Sequence, residues 1–232
     1  MTFSPHPRID IRLRRIGNEA QPLMVVDHML ADPYALIAAA KRAAFYVPEH
    51  TKYPGLNAPL PEGYYQTVVT ALRGPIEAAF GLPREAWVSF FGFFALAVTP
   101  ADMAEPIQKI PHHDTVDPGR LAMVHYLCQG DFGGTGFFRH KSTGFETIDA
   151  TRQAAYAVAA KPELEAASLK GYADAGTAHY ELTGEAEMVF NRLIVYRTHM
   201  LHSGLLNRAP LSADPAKGRL TANGFIEAAR AP

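Results

Sequence analysis

A chain of 232 residues, of which 48% are hydrophobic and 19% charged, has enough apolar side chains to form one sizeable buried core. Its 22 basic and 23 acidic residues give a net charge of -1, which excludes a strong overall attraction to nucleic acid or to an anionic membrane. The single cysteine, Cys128, excludes an intrachain disulfide and a cysteine-rich metal cluster, so a metal site in this chain must use His, Asp and Glu. We expect a single domain over residues 1–232 with no nucleic-acid or membrane partner; the oligomeric state stays open.

The cellular location is inferred from the absence of a targeting signal. The N-terminal stretch "MTFSPHPRIDIRLRR" lacks an apolar signal core. No run approaches the roughly 18 apolar residues of a membrane span. We therefore expect a cytoplasmic protein.

The chain begins with two predicted strands. In "IDIRLRRIG" the residues Ile9, Ile11 and Leu13 alternate with charged neighbours, which is typical of a half-buried strand. The stretch "PLMVVDHML" predicts a second apolar strand. Residues 1–86 are expected to form an α/β layer that supports the rest of the chain.

Two helices are predicted next, with a long loop between them. In "ADPYALIAAAKRAAFY", Asp32 suits the N-cap and Pro33 the first helical position. The apolar face of this helix would carry Leu36, Ile37, Ala40 and Ala44. The stretch "VPEHTKYPGLNAPLPEG" predicts a loop, either a connector or a binding segment. A second helical region from about Tyr64 to Phe80 is expected to break near Gly74 and Pro75.

From Trp87 onward the sequence predicts short strands separated by glycine-rich turns. They are "AWVSFFGFFALAV", "RLAMVHYLC", "GGTGFFRH", "TAHYELTGEAEMVF", "RLIVYRT" and "RLTANGFIEA". A helical insert is expected at about 149–170. This order predicts a mainly β fold with supporting helices, a sandwich or barrel whose core spans residues 87–232.

The stretch "IPHHDTVDPGRLAMVHYL" contains a candidate metal-binding pair. On an extended chain, residues i and i+2 point the same way, so His112 and Asp114 can reach one ion while His113 faces away. Asp117 reads as a turn residue. A His-x-Asp triplet alone is a weak signal, because it arises by chance in about one chain in two or three of this size.

Two later segments strengthen this interpretation. After an apolar strand, "THMLHSG" provides His199 and His202, either of which could add a second imidazole. Two histidines and one carboxylate on one face of an ion form the facial triad typical of non-haem Fe(II). In "KGRLTANGF", Arg219 and Thr221 share a strand face and would suit a carboxylate ligand.

Together these motifs resemble the 2-oxoglutarate/Fe(II)-dependent dioxygenase superfamily, in particular its prolyl-hydroxylase-like enzymes and a family of uncharacterised bacterial relatives. The resemblance covers about Trp87 to the C-terminus. Its parts are His112-x-Asp114, "GRLAMVHYL", "GGTGFFRH", "LHSG" and Arg219-Leu220-Thr221. It implies a double-stranded β-helix fold, also called a jelly-roll or cupin-like fold, with an N-terminal helical layer.

The resemblance also assigns roles to single residues. It implies that the metal ligands are His112, Asp114 and His202. Arg219 and Thr221 would bind the distal carboxylate of 2-oxoglutarate, and the Tyr126 hydroxyl would contact the same group. The segment between His202 and Arg219 is longer than is usual in the superfamily, and "NRAPLSADPAK" reads as an inserted polar loop.

The function implied by the resemblance is oxidation of a small-molecule or peptidyl substrate with Fe(II), 2-oxoglutarate and O2, releasing succinate and CO2. The carboxylate of Asp114 favours hydroxylation over halogenation. The alternatives are a cupin-like metal protein that is not an oxygenase (an isomerase, a lyase or a small-acid sensor) and a metal-free β-domain. Candidate substrate contacts are residues 53–61 and the pair Arg139 and His140, although this pair could equally be structural.

Overall fold

The computed structural model describes residues 2–49, 51–84 and 87–228, and this part of the chain is mainly β. Its ten strands are β1 Asp10–Ile16, β2 Gln21–Asp27, β3 Gly55–Pro59, β4 Trp87–Ala97, β5 Arg120–Tyr126, β6 Thr135–His140, β7 Tyr180–Ala186, β8 Leu193–Arg197, β9 His202–Gly204 and β10 Arg219–Ala228. Its helices are α1 Pro33–Ala40, α2 Tyr64–Phe80 and α3 Gln153–Ala166, with a short 3-10 segment at Pro106–Lys109.

The strands form two antiparallel sheets. The large sheet has the order β1-β2-β8-β5-β10-β4-β3, and the small sheet has the order β7-β6-β9. Strand β10 is central: Asn223 lies opposite Phe93 on β4 and opposite Val124 on β5. The N-terminal strands extend the large sheet at both edges, because β2 pairs with β8 and β3 pairs with β4.

The large sheet separates two apolar clusters, and alternation along each strand decides which residues enter each one. On β10, Leu220, Ala222 and Ile226 join the cluster that contains the buried faces of α1 and α2. The opposite face of the sheet packs on the small sheet through a cluster that includes Phe137 and Tyr196. Fully burying one such apolar side chain contributes roughly 1.5–3 kcal/mol. Both faces of the central strands are therefore needed for stability.

Helix α1 begins as the sequence predicts but ends earlier. The Asp32 carboxylate accepts hydrogen bonds from the backbone N–H groups of Tyr34 and Ala35 at 3.0 and 3.2 Å, which confirms the N-cap. The helix ends at Ala40, so Ala44 does not belong to its apolar face. The chain turns away at this point, and Tyr46 pairs with Asn57 beside the large sheet.

The predicted break in the second helix is wrong. Helix α2 continues through Pro75, although a proline inside a helix removes one backbone hydrogen bond. Leu72 and Ile76 beside it are fully buried against the sheet, and their packing offsets that loss. Burial of the apolar face therefore decides the length of this helix.

Two further expectations need correction at the edges of the large sheet. The predicted loop between the two helices contains a strand, β3. Residues 55–59 form backbone hydrogen bonds with the edge of β4 that has no other strand beside it. Strand β1 is not half-buried as predicted: Ile11 and Leu13 are 38% and 48% exposed, since β1 is the outermost strand. Within the described residues, no helix has the length and apolar character required to cross a bilayer.

Candidate metal centre and its cavity

A backbone bridge brings two of the predicted ligands together. The N–H of His112 donates to the carbonyl of His202 at 2.9 Å, and the N–H of His202 donates to the carbonyl of His112 at 2.8 Å. The N–H of Asp114 donates to the Thr198 carbonyl at 2.9 Å. These bonds fix the segment before β5 against the start of β9, so the two histidines meet although they are far apart in the sequence.

The three side chains converge on one point. One ligand atom from each of His112, Asp114 and His202 can be chosen so that all three lie within 4.8 Å of one another. Nε2 of His112 lies 3.8 Å from one Asp114 carboxylate oxygen, and Nε2 of His202 lies 3.6 Å from the other. Ligands at about 2.1 Å from an ion and at right angles would be roughly 3 Å apart. The side chains thus need only small shifts to hold a metal ion on one face.

The hydrogen bond of His202 and the pKa of His112 both suit metal binding. Nδ1 of His202 lies 2.9 Å from the Met200 carbonyl, so this nitrogen carries the proton and Nε2 offers its lone pair to the ion. Desolvation at the cavity wall, together with the nearby His202, lowers the pKa of His112 to about 4. The His112 ring is therefore neutral near pH 7, as metal ligation requires.

The other polar residues of the cluster have different surroundings. The ring of His113 lies edge-on to Tyr156 of α3 at 6.1 Å. Asp117 is a turn residue, as predicted, because its carboxylate accepts the Gly119 N–H at 2.8 Å. His199 is buried, lies outside the group of three, and its Nδ1 has no hydrogen-bond partner among the described residues.

The triad opens into a large cavity that also contains Arg219. The cavity has a volume of about 1030 Å³, and its wall includes the three candidate ligands, residues of β4, β5 and β10, and residues 46–49 and 51–54. Arg219 is buried, with only 5% of the residue exposed. Its guanidinium donates to the carbonyls of Gly133 and Gly134 at 3.2 and 3.0 Å. Among the described residues, no carboxylate lies within 4.0 Å of it.

Glycines are required where the chain faces Arg219. A Cβ at Gly133 or Gly134 would overlap a backbone carbonyl oxygen, that of Leu205 or that of Ala186. Gly133 also has a φ of +73°, which side-chain-bearing residues rarely adopt. Because this loop packs closely on its neighbours, the carbonyls of Gly133 and Gly134 can accept hydrogen bonds from Arg219. The other N–H groups of the guanidinium are left for a ligand.

Tyr126 and Thr221 lie behind the wall rather than on it. The Tyr126 hydroxyl is fully buried and bonds the Thr135 hydroxyl at 2.8 Å, and it is Thr135 that faces the cavity. The Arg219 guanidinium lies 5.7 Å from the centre of the Tyr126 ring. The Thr221 hydroxyl donates to the Ala95 carbonyl at 3.4 Å. Tyr126 therefore packs against Arg219, whereas the Thr221 hydroxyl bonds the neighbouring strand β4.

The cavity wall also contains functional candidates that the sequence reasoning missed. Tyr196 of β8 lines the cavity, and its ring contacts that of His202 with 4.8 Å between centres. Burial raises the pKa of Tyr196 well above its usual range, and the Asp114 carboxylate adds to this effect. The alternation in "LIVYR" puts Ile194 and Tyr196 on one strand face, and this is the sequence feature that could have indicated Tyr196.

Three polar atoms in the wall are buried without a hydrogen-bond partner among the described residues. They are the hydroxyl of Tyr53 and the side-chain carbonyl oxygens of Asn57 and Asn223. Buried polar groups are rarely left unpaired unless a ligand or water satisfies them. Tyr53 and Asn57 belong to the stretch 53–61 proposed from the sequence as a substrate contact.

Arg139 and His140, the other proposed substrate contacts, have structural partners instead. Arg139 is paired with Glu146 and Glu181, the latter at 2.9 Å. His140 is fully buried and bonds Glu163 of α3 at 2.7 Å. The pair holds the helical insert and the turn after β6 in place, and the described cavity wall does not include it.

Comparison with known proteins gives a family and a fold. A family model described as "Family of unknown function (DUF6445)" matches residues 7–226. No curated protein matches the sequence significantly. Two crystal structures of HygX from Streptomyces hygroscopicus are similar, each at 12% identity and covering 90% of this chain and 84% of that one. The structure with nickel, 2-oxoglutarate and hygromycin B bound has a TM-score of 0.51, and the one with nickel and 2-oxoglutarate has 0.52. This likeness fits a cupin-like fold.

Proposed function

The chain belongs to the DUF6445 family, whose function is unknown, and we propose that it is an Fe(II)- and 2-oxoglutarate-dependent oxygenase. One observation carries the proposal: a cluster of two histidines and one aspartate shares a cavity with a buried arginine that has no acidic partner among the described residues. We further propose that the two sheets form one jelly-roll domain, with residues 1–86 as its support.

His112, Asp114 and His202 would hold the metal ion. Two imidazoles and one carboxylate on one face leave the opposite positions of the ion open, and this arrangement suits non-haem Fe(II). The Met200 carbonyl keeps the His202 ring in the tautomer and orientation that ligation needs. This donor set contains no thiolate, which is the ligand that holds iron–sulfur clusters.

Arg219 would bind the far carboxylate of 2-oxoglutarate. A buried guanidinium without a counter-charge is costly, and a dicarboxylate would supply that charge. Nε and Nη2 are each engaged by a glycine carbonyl, which fixes the plane of the guanidinium and directs its free edge to the ligand. HygX, a protein of similar fold, binds nickel and 2-oxoglutarate, which supports the same pair of ligands here.

When bound, Fe(II) would supply the site at which O2, the oxidant, accepts two electrons from 2-oxoglutarate and two from a substrate C–H bond, so that succinate, CO2 and the hydroxylated substrate are the products. The protein's part is to hold both in place and to limit water at the centre. Tyr196, packed on His202, covers one side of the triad. His112, which is half-exposed, leaves the other side open to the cavity.

The substrate would enter over an aromatic wall. Phe91 is 62% exposed, and its ring centre lies 5.6 Å from that of Phe93, which in turn lies 6.3 Å from that of Phe225. Exposed aromatic side chains at a cavity mouth usually mark a binding surface. This wall favours a small-molecule or peptidyl substrate with an apolar part that packs on the aromatic rings. The polar part of the substrate would face Asn57 and Asn223.

The proposal is tested by anaerobic titration. Fe(II) followed by 2-oxoglutarate should produce a weak visible charge-transfer band in the wild-type protein and none in His112→Ala. Admission of O2 should then yield succinate from the wild type, at least in slow turnover without substrate. The proposal fails if the Fe(II)-loaded wild type gives no band, or if its succinate does not exceed that of His112→Ala. Metal binding without any response to 2-oxoglutarate would favour the non-oxygenase alternative.

A further inference from the structure

We propose that Thr198 is a positioning residue for the metal centre: its hydroxyl and its backbone hold both ends of the segment 114–120, and thereby place the Asp114 carboxylate. The inference rests on the proposed function. It adds a residue that lies outside the triad and that the sequence motifs do not identify. Thr198 follows directly after β8, whereas the segment that it holds leads into β5.

The Asp114 side chain depends on its backbone for its position. Its two carboxylate oxygens lie 3.8 and 3.6 Å from the imidazole nitrogens of His112 and His202, and among the described residues no N–H or O–H group donates a hydrogen bond to them. The His202 ring, by contrast, is oriented by the Met200 carbonyl. The direction of the Asp114 carboxylate is therefore set by the course of the segment 114–120.

Thr198 forms hydrogen bonds with both ends of this segment. Its carbonyl accepts the Asp114 N–H at 2.9 Å, and its own N–H donates to the Arg120 carbonyl at 3.1 Å. Its hydroxyl donates to the same Arg120 carbonyl, also at 3.1 Å. Thr198 is fully buried, so water does not compete for these bonds. A single residue thus fixes where the ligand segment begins and where it ends.

The Thr198 hydroxyl also holds the segment at Thr115, the residue directly after the ligand Asp114. The two threonine hydroxyl oxygens lie 2.9 Å apart. A hydroxyl has one proton to donate. Because Thr198 donates its proton to Arg120, Thr115 is the donor between the two threonines. Thr115 Oγ1 in turn accepts the Asp117 N–H at 3.3 Å, so the bonds run in one direction from the Asp117 N–H to the Arg120 carbonyl.

Removal of the Thr198 hydroxyl should interrupt this series of hydrogen bonds. Thr198→Val keeps the β-branched shape and the two backbone bonds, but the Thr115 hydroxyl loses its acceptor. Thr115 is only partly buried and lines the cavity, so its hydroxyl can turn towards water there. The segment would then relax at the residue next to Asp114. Loss of such a supporting partner of a metal ligand typically weakens metal binding about 10- to 100-fold.

The test is anaerobic titration of the full-length protein with Co(II), which reports the metal affinity and, through its visible absorption bands, the geometry of the ligands. The variants are Thr198→Val, Thr198→Ser, which keeps the hydroxyl, and Tyr64→Phe as a control for stability. Tyr64 packs on the other face of the large sheet, and its variant loses one buried hydrogen bond, that to His125. Melting temperatures would be recorded for all proteins.

We expect Thr198→Val to bind Co(II) about 10-fold more weakly than the wild type, with altered visible bands. Thr198→Ser should bind within about 2-fold of the wild type and show the wild-type bands. Tyr64→Phe should melt at a lower temperature, as Thr198→Val does, yet keep both the affinity and the bands. A purely structural role of Thr198 would instead make the affinity follow the melting temperature in all three variants.

A double-mutant cycle with Asp114→Ala tests whether Thr198 acts through Asp114. In the Asp114→Ala protein, Thr198→Val should change Co(II) binding by less than about 2-fold. Unchanged binding by Thr198→Val alone, or an undiminished effect in the Asp114→Ala protein, would overturn the positioning role and leave the proposed function intact. If the wild type binds no Co(II), the proposed function is wrong and the role of Thr198 with it.

Discussion

Replacing His202 by alanine should remove most of the metal affinity of this protein. The three candidate ligand atoms lie within 4.8 Å of one another, and removal of His202 leaves one imidazole and one carboxylate. The backbone bridge between His112 and His202 uses main-chain atoms only, so it does not depend on the lost side chain. The substitution therefore tests ligation with little effect on the position of the remaining pair.

The expected magnitude follows from the number of ligands. Structural zinc sites with four protein ligands bind with about 10–16 kcal/mol, or about 3 kcal/mol for each ligand. Loss of one ligand from three should therefore weaken binding on the order of 100-fold or more. The water that replaces the imidazole would recover part of this difference.

His199→Ala is the matched control. It removes the same side chain from a similarly buried site three residues earlier, yet His199 lies outside the triad. Ni(II) affinity would be measured by competition with a chromophoric chelator, and circular dichroism would verify folding of both variants. We expect His199→Ala to retain the wild-type affinity within about threefold. Equal losses in the two variants, or unchanged binding by His202→Ala, would refute the ligand assignment.

Three further predictions concern the residues that support the site. Tyr64→Phe should lower the stability by about 1–3 kcal/mol, because buried Nδ1 of His125 would lose its 2.8 Å hydrogen bond, and calorimetry should record a lower melting temperature. Stability of the metal-free protein should fall as pH drops from about 6.5 to about 4, since burial lowers the pKa of His125 to about 4 and the unfolded chain then binds the extra proton. Between these pH values, the free energy of unfolding measured with denaturant should fall by up to about 3 kcal/mol more in the wild type than in His125→Gln. The same pH dependence in both proteins would contradict this prediction. Gly134→Ala should lower both the melting temperature and 2-oxoglutarate affinity, because the new Cβ would overlap the Ala186 carbonyl and displace the loop from Arg219; an unaffected titration would argue against this coupling.

Local signals in the sequence predict the beginnings of elements better than their ends. Asp32 and Pro33 mark the start of α1 because capping is a local interaction between a side chain and the next turn. The end of α1, the continuation of α2 through Pro75 and the existence of β3 depend on which neighbours are available in the fold. Periodicity in one segment contains no information on those neighbours.

The candidate site follows the same division. The i, i+2 spacing of His112 and Asp114 and the late His202 could be read from the chain, and these side chains do meet in the structure. Their functional assignment is still a prediction. Tyr196 and Tyr53 could not be singled out in the same way, because an ordinary aromatic residue in a strand or loop becomes notable only through burial and pairing. The role of His125 could not be predicted either, because its ring bonds Tyr64 of α2 and Asn191, which are both distant from it in the sequence.

The reciprocal backbone bridge between His112 and His202 has a consequence for the order of events in the cell. Its two halves come from distant parts of the chain, so the triad exists only after β9 has docked beside the segment that precedes β5. Such long-range pairings form late in folding, since a large loop must be closed first. On the proposed function, the iron ion would bind only after the chain has folded. Cells starved of iron should then accumulate folded apoprotein that can be loaded with metal afterwards, instead of unfolded chains.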